Sequence, residues 1–418
     1  MFRYCFILGR NNTLSLAEIQ AVLTRLNYVF KTIELGQDVL ILETENEWDI
    51  GSMVQKMGGI IKAGQILSEE TGKFQEVMEN KLNADFIKTS AHQRKINFGV
   101  SLYLLNQAIK NFSQLKRYLD NRGLEIKKEL KKEGIASRYV ASREKVLSSV
   151  VIQKNQLIKK GIEVLILVCQ DKIYFAKTVA IQDFESYSYR DYQRPGRDIV
   201  SGMIPPKLAQ IMINLAGISE NEILLDPFCG TGTILQEAIL LDYKNVLGSD
   251  RDFGAVNNSQ KNLEWLIQNY RIDRNDLNLK IFQHDIKNDF EGIGPNSISA
   301  IVTEPYLGPP IVWKIREEKL KGIIRNVSEL YLDFFKQANK ILKKGGIISI
   351  IFPIFRYEDQ LKQLEIHGEI KNMGYRVKKL LPDEWKNSPV VKMSSRGSIV
   401  YSRADQKVLR EILVFQNV

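Results

Sequence analysis

The stretch that most constrains this chain lies near its middle, at Glu222–Ala238, E-I-L-L-D-P-F-C-G-T-G-T-I-L-Q-E-A. The apolar run Ile223, Leu224, Leu225 predicts a buried parallel strand, D-P-F-C-G-T-G-T a tight turn, and Ile234 to Leu241 an amphipathic helix leaving it. Gly230 and Gly232 let a ligand approach the main chain, and the N–H groups that open the helix favour an anionic or polar group there. The spacing lacks the third glycine of the dinucleotide fingerprint and the Gly-Lys-Ser/Thr of a phosphate loop, so neither NAD nor ATP is well supported. An acid at the strand end, Asp226, suits a ligand carrying an ammonium group instead.

D-P-F-C-G-T-G-T resembles motif I of S-adenosylmethionine-dependent methyltransferases, in the branch that methylates exocyclic or ring nitrogens of nucleic-acid bases. On that resemblance Asp226, Pro227, Phe228, Gly230, Gly232 and Thr233 hold the cofactor S-adenosyl-L-methionine. The bland alternative is a glycine turn in some other doubly wound domain. The next strand, Asn245 to Ser249, ends at Asp250, about twenty residues beyond the turn, where an acid can accept hydrogen bonds from both ribose hydroxyls. A third strand, Leu279 to Gln283, leads to Asp285, placed to accept from the adenine amine, and Ile286, placed to pack on the ring; an ordinary surface-turn aspartate is the alternative for Asp285.

A fourth strand, Ser297 to Val302, delivers T-E-P-Y-L-G-P-P. Amino-methyltransferases of the resembling class carry D/N-P-P-Y/F/W here: an acceptor oxygen and a backbone carbonyl orient the target amine while the aromatic ring stacks on an extruded base. Thr303 stands where the family has its acid and Glu304 where it has the first proline. The expected catalytic set is therefore Thr303, Glu304, Pro305 and Tyr306, with Thr303 a poor proton acceptor, so that either Glu304 supplies the carboxylate from one position over or activity relies on backbone carbonyls. Further on, Val327 to Ile341 predicts a helix, L-K-K-G-G a turn, and Gly346 to Pro353 a fifth strand; Gly374 to Val377 and Gly397 to Ser402 read as closing strands, with R-G-S-I-V-Y-S-R forming an antiparallel end.

The amino-terminal half alternates strands and helices: strands at Phe2 to Leu8 and Val39 to Glu43, a helix capped by Ser15, another from Trp48 to Met57, and β runs at Ile96 to Tyr103, Ile162 to Cys169 and Lys172 to Ala180. F-I-L-G-R-N-N-T-L-S-L-A-E-I resembles the ferredoxin-like opening of tRNA guanosine-10 N2-methyltransferases. F-G-V-S-L-Y, G-I-A-S-R-Y-V and L-S-S-V-V-I-Q-K-N together resemble a THUMP domain, an RNA-binding module. A net charge of +10 agrees with a polyanionic partner. Lysines of the stretch 127–132 alternate with Glu125, Glu129 and Glu133 as on a solvated helix face, so Arg138, Arg143, Lys145 and Lys154 are the better candidates for RNA phosphates. The connector S-Y-S-Y-R-D-Y-Q-R-P-G-R-D followed by G-M-I-P-P-K-L-A matches the same family nearly continuously. It offers Arg197 as an RNA-binding residue, with Arg197, Met203 and Lys207 also candidates to line the cofactor pocket.

Taken together, the expectation is an α/β chain: a Rossmann-like class I methyltransferase domain at 205–418, a linker at 182–204, a THUMP-like RNA-binding domain at 61–181 and a ferredoxin-like module at 1–60. The implied reaction is methylation of a guanine exocyclic N2 amine in tRNA, at position 10 by the resemblance. The alternatives are another RNA or DNA base amine, or an RNA-binding protein whose transferase centre, with its Thr303, has decayed. The partner is tRNA, and the sequence leaves open a small activator subunit and the oligomeric state. Cys5, Cys169 and Cys229 are far apart, and His92, His284 and His367 lack a ligand-like arrangement, so no metal is expected. No apolar run is long enough to cross a bilayer, which predicts a cytoplasmic protein without membrane contact.

Overall fold

The computed structural model describes residues 1–91, 95–106, 111–197, 203–311, 315–403 and 406–418. It divides into two compact units, the first made of Met1–Asn12, Val29–Phe184 and Asn387–Val390, the second of Thr13–Tyr28, Glu185–Lys386 and Val391–Val418. His92 and the linker residues 198–202 lie outside the described residues.

The first unit is built on one sheet. Its strands are β1 (Phe2–Leu8), β2 (Lys31–Leu35), β3 (Val39–Thr44), β4 (Ile60–Glu70), β5 (Lys95–Leu104), β6 (Ala136–Val140), β7 (Gly161–Val168) and β8 (Ile173–Ile181), in the order β2-β3-β1-β4-β8-β7-β5-β6. Pairing is antiparallel from β2 to β7 and parallel from β7 through β5 to β6. The parallel pair β5/β6 needs a crossover, supplied by the helix Phe112–Lys132, which buries Leu119, Ile126 and Leu130. The boundary expected at residue 60 falls at the first residue of β4, which pairs with β1 on one side and β8 on the other. Pairing between strands distant in sequence thus joins the two expected modules into one sheet.

The interior of this sheet holds an ion pair with almost no solvent contact. Lys62 on β4 and Glu163 on β7 are 1% and 0% exposed and meet at 2.6 Å. The Ser101 hydroxyl donates to the same carboxylate at 2.6 Å and the Thr178 hydroxyl donates to its other oxygen. Lys62 also donates to the Leu147 carbonyl at 3.0 Å, while the Leu147 N–H donates to Ser101 at 2.9 Å. Every lone pair used here would otherwise be stranded in an apolar interior, which is why the four groups occur together.

The second unit is a doubly wound sheet. Its strands are β9 (Ile223–Asp226), β10 (Asn245–Asp250), β11 (Asn278–Gln283), β12 (Ile298–Thr303), β13 (Leu342–Tyr357), β14 (Gln360–Gln363), β15 (Tyr375–Val377), β16 (Ile399–Tyr401) and β17 (Val408–Asn417). The order β11-β10-β9-β12-β13-β17-β15 is parallel through β13 and antiparallel at β17 and β15. The order reverses between β9 and β12, the place in such sheets where a crevice opens beyond the carboxyl ends of the strands. Four expectations shift. The antiparallel neighbour of β13 is β17, whereas R-G-S-I-V-Y-S-R contributes only the short β16 laid against it. The helix expected from Val327 starts at Glu317, because Leu320 and Val327 continue the buried stripe of Tyr331, Phe334 and Phe335. L-K-K-G-G is an irregular start to β13, with Gly345 at φ +76, rather than a separate turn. The first helix spans Asn12–Arg25, so Ser15 is buried inside it and does not cap it.

That first helix contributes to the second unit. Asn214 donates to Glu18 at 2.8 Å and Arg25 to the Tyr243 hydroxyl at 3.2 Å, both in buried or partly buried surroundings. No described helix is long and apolar enough to cross a membrane.

Candidate active site

β9 and β10 lie side by side in parallel register, Gly248 opposite Asp226, so the ends of both strands reach the same edge of the sheet. The turn after β9 is closed by the Gly232 N–H on the Cys229 carbonyl (2.7 Å) and tied to β10 by the Cys229 N–H on the Ser249 carbonyl (2.9 Å). Gly230 has φ +50, and a Cβ there would meet nothing within 4 Å; its open face is where a ligand can approach the backbone. Gly232, at φ +81, differs: a Cβ would come within 2.4 Å of the Ser259 hydroxyl oxygen, so this glycine serves packing. It ends the turn at the head of the helix Thr233–Leu240.

Two acids flank the turn. Asp250 is oriented by the Gly230 N–H (3.0 Å, to Oδ2) and by the Asp252 N–H (3.0 Å, to Oδ1), leaving lone pairs for hydroxyl donors. Asp252 caps the helix Phe253–Tyr270 through the Ala255 N–H at 2.6 Å, which assigns it a structural task beside Asp250. Asp226 is buried and accepts the Thr303 hydroxyl at 2.6 Å and the Phe228 N–H at 3.2 Å. Burial raises its carboxyl to about 7 against the pull of those two hydrogen bonds, and Asp250 and Glu304 push in the same direction as burial. Being higher folded than unfolded, this pKa makes folding stability fall as pH rises from about 4 to about 7. A cationic ligand favours the anionic form, so its binding at pH 6 is expected to release close to one proton. Calorimetry in buffers of different ionisation enthalpy measures this, and Asp226→Asn is expected to abolish the release.

Asp285 is exposed and accepts the Lys287 N–H at 3.0 Å; with Asp252, Phe282, Gln283 and His284 it lines an open depression at the ends of β10 and β11. Ile286 departs from expectation: it is buried with Phe290 and Ile298, because the apolar side chain at the start of this turn is drawn into the core. Pro227 is buried, and Phe228 packs on Phe334 at 5.9 Å between centroids.

T-E-P-Y leaves β12 at the same edge. Thr303 is a correction: fully buried, its hydroxyl donates to Asp226 and does not face a substrate amine. Glu304 is held by Arg410 of β17, whose Nε donates to Oε1 at 2.5 Å and Nη2 to Oε2 at 3.4 Å, with both side chains only 13–14% exposed. Pro305 is buried, and the Tyr306 ring is 52% exposed, free to offer a stacking face.

The connector grips the glycine turn through Arg190, Arg194 and Gly196, which lie in S-Y-S-Y-R-D-Y-Q-R-P-G-R-D. Arg190, on the helix Phe184–Tyr192, makes a two-point ion pair with the buried Glu237 (2.6 and 3.0 Å) and lies 4.5 Å over the Tyr187 ring. Arg194 is buried, donates to the Thr233 hydroxyl and the Met203 sulfur, and its Nε has no partner among the described residues. Asn262 bridges the Gly196 carbonyl (2.7 Å) and the Thr231 carbonyl (2.8 Å) and accepts the Gly196 N–H (2.7 Å). Arg197 is exposed and lies over the Tyr192 ring, while Lys207 lies over the Tyr187 ring. The R-D-x-x-R-P spacing carried a signal for Arg190 and Arg194; Arg410 had none.

In the first unit Arg138, Arg143, Lys145 and Lys154 are all exposed, Arg138 on the edge strand β6 and Lys145 beside the Phe112 ring at 5.7 Å. By contrast Lys116 and Arg122 of the helix Phe112–Lys132 are engaged with Asp120 and with Glu125 and Glu129. Among the described residues no group of side chains could hold a metal. His284 stacks on Phe290 at 4.1 Å and His367 packs beside Phe352 and Phe415.

The whole chain aligns with the crystal structure of TrmN from Thermus thermophilus at a TM-score of 0.57 over all of both chains and 12% identity. With a family profile described as "RMKL-like, methyltransferase domain" matching residues 189–304, this defines the second unit as a Rossmann-like methyltransferase domain. The chain is 31% identical over 185 residues to tRNA (guanine(10)-N2)-dimethyltransferase of Methanothermobacter thermautotrophicus, spanning 44% of this chain and about half (48%) of that relative. It is 31% identical over 143 residues to the probable tRNA (guanine(10)-N2)-dimethyltransferase of Methanothermococcus thermolithotrophicus, 34% of this chain and 76% of that relative. The chain belongs to this archaeal tRNA (guanine(10)-N2)-dimethyltransferase family.

Proposed function

We propose that this protein is an S-adenosyl-L-methionine-dependent methyltransferase acting on the exocyclic N2 amine of a guanine in tRNA, at position 10. The observation that carries the reading is the convergence, at one sheet edge, of an open glycine turn, the oriented Asp250 and the Arg410-held Glu304, in a chain of the family above. The turn fits the cofactor: Gly230 leaves room at the backbone, Asp226 suits its ammonium group, Asp250 its ribose hydroxyls and Asp285 its adenine amine. When bound, the cofactor supplies an electrophilic methyl group.

The chain's own residues position the nucleophile. Tyr306 offers a face for the extruded base, and Pro305 fixes the turn. Glu304 accepts a hydrogen of the amine and takes the proton released as the new N–C bond forms, with Oε2, the oxygen more loosely tied to Arg410, the better placed acceptor. Thr303 supports this arrangement indirectly, through Asp226. Arg138, Arg143, Lys145 and Lys154 of the THUMP-like first unit contact tRNA phosphates.

The direct test is transfer from labelled cofactor to tRNA, ribosomal RNA and DNA, followed by nucleoside analysis. N2-methylated guanosine from tRNA is expected; label on another base, or cofactor binding without transfer, overturns the reading. In the same assay Glu304→Gln is expected to lower the single-turnover rate by about 10²-fold or more. An unchanged rate removes the assignment of the carboxylate.

A further inference from the structure

We infer that the Glu304–Arg410 pair reads the Watson–Crick edge of the extruded base, Glu304 accepting from the amine and ring N–H of guanine and Arg410 donating to its O6. The inference rests on the function proposed above and adds Arg410 as its specificity-determining residue.

A guanidinium has five N–H groups, and only Nε and Nη2 of Arg410 are directed at Glu304; Nη1 has no partner among the described residues. Each carboxylate oxygen of Glu304 takes one bond from Arg410 and retains lone pairs. The pair therefore presents acceptors and donors side by side, two residues before the exposed Tyr306.

Guanine offers the matching sequence along one edge: an amine and a ring N–H to donate, then a carbonyl to accept. Adenine offers an acceptor at the ring nitrogen and a donating amine in place of the carbonyl. It would set its nitrogen lone pair against the carboxylate and its amine against the guanidinium. Cytosine likewise puts a lone pair against the carboxylate. A site whose buried polar groups are left unpaired by the wrong base rejects it strongly.

A purely structural role fits the placement less well. Thr303, one residue earlier, is fully buried, and Tyr306, two residues later, is half exposed, so Glu304 stands at the transition from core to crevice. The buried acid Asp226 senses both Glu304 and Asp250, which places the pair within electrostatic reach of the proposed cofactor cradle. Arg410 comes from β17, whose register sets it opposite Pro353 of β13 and Tyr401 of β16, so a rigid strand and not a loop delivers it.

The experiment compares full-length tRNA carrying guanine with the same tRNA carrying 2-aminopurine at the modified position. That analogue keeps the amine and lacks both O6 and the ring N–H. The wild-type protein is expected to prefer guanine by at least about 100-fold in kcat/KM. Arg410→Met is expected to lower kcat/KM for both bases, because it also frees Glu304, but for guanine by about 10- to 100-fold more than for 2-aminopurine, so the preference falls by that factor. Arg410→Lys, which keeps the charge without the fork, is expected to give an intermediate preference, and cofactor affinity reports whether each variant is folded. A preference unchanged in both variants overturns this inference and leaves the proposed function standing. A wild-type protein that methylates only some other base overturns both.

Discussion

Replacing Lys62 by methionine is expected to lower stability by about 3–5 kcal/mol, measured by chemical denaturation followed through the first unit's spectroscopic signal. The size follows from what remains behind: the Glu163 carboxylate has no solvent contact, and Ser101 and Thr178 offer it hydroxyl hydrogens but no charge. Attraction between ions is not the main term, since bringing both out of water costs several kcal/mol and the pair only offsets it. The double variant Lys62→Met with Glu163→Leu is accordingly expected to recover much of the loss. A Lys62→Met cost below about 1 kcal/mol would show that water reaches the carboxylate. There is a functional corollary. Lys62 and Ser101 pin both backbone groups of Leu147, two residues beyond Lys145, so the single variant is also expected to weaken the proposed tRNA binding more than its distance from the surface suggests.

Arg190→Met is the second large effect, also about 3–5 kcal/mol near neutral pH, because it leaves Glu237 buried without its cation. Its pH dependence gives it away. Burial already pushes the Glu237 carboxyl above its ordinary value, opposed by Arg190. With Arg190 gone the folded value rises further, so the folded protein holds a proton that the unfolded chain has released above about pH 4.3. The deficit relative to wild type therefore grows as pH rises through the wild-type folded value, which is itself raised, and levels off above the new, higher folded value. Denaturation at pH 5 and pH 8 decides the matter: a deficit independent of pH would mean that lost packing over Tyr187, not the unpaired acid, explains the cost. Cofactor affinity is expected to fall as well, since Glu237 lies on the helix that begins at the glycine turn.

Much of this site was legible because its signals are local. An apolar run, a glycine turn and an acid after the next strand report on neighbours in sequence, and the parallel register of β9 and β10 then brings Asp226 and Asp250 to one edge. The same locality explains the misses. Thr303 was read as substrate-facing because it occupies the family's acidic position; its true partner, Asp226, is on a strand brought alongside only by the sheet order. Arg410 lies on a strand with no motif, and nothing short of the antiparallel insertion of β17 beside β13 links it to Glu304. The single amino-terminal sheet was hidden for the same reason: β4 carries no mark of having two partners so far apart in the chain.

The helix Asn12–Arg25 has a bearing on how this protein can be dissected. Its partners lie far along the chain: Glu18 and Arg25 complete hydrogen bonds to Asn214 and Tyr243. A fragment starting at Pro205 is thus a domain with a piece removed, and its instability would say nothing about autonomy of the catalytic half. During translation the hydrogen-bond partners of Glu18 and Arg25 emerge only after about two hundred further residues have left the ribosome. Supplying residues 13–28 as a separate peptide, or fused to the carboxy-terminal half by a flexible tether, is expected to restore those hydrogen bonds and raise the fragment's stability to denaturation.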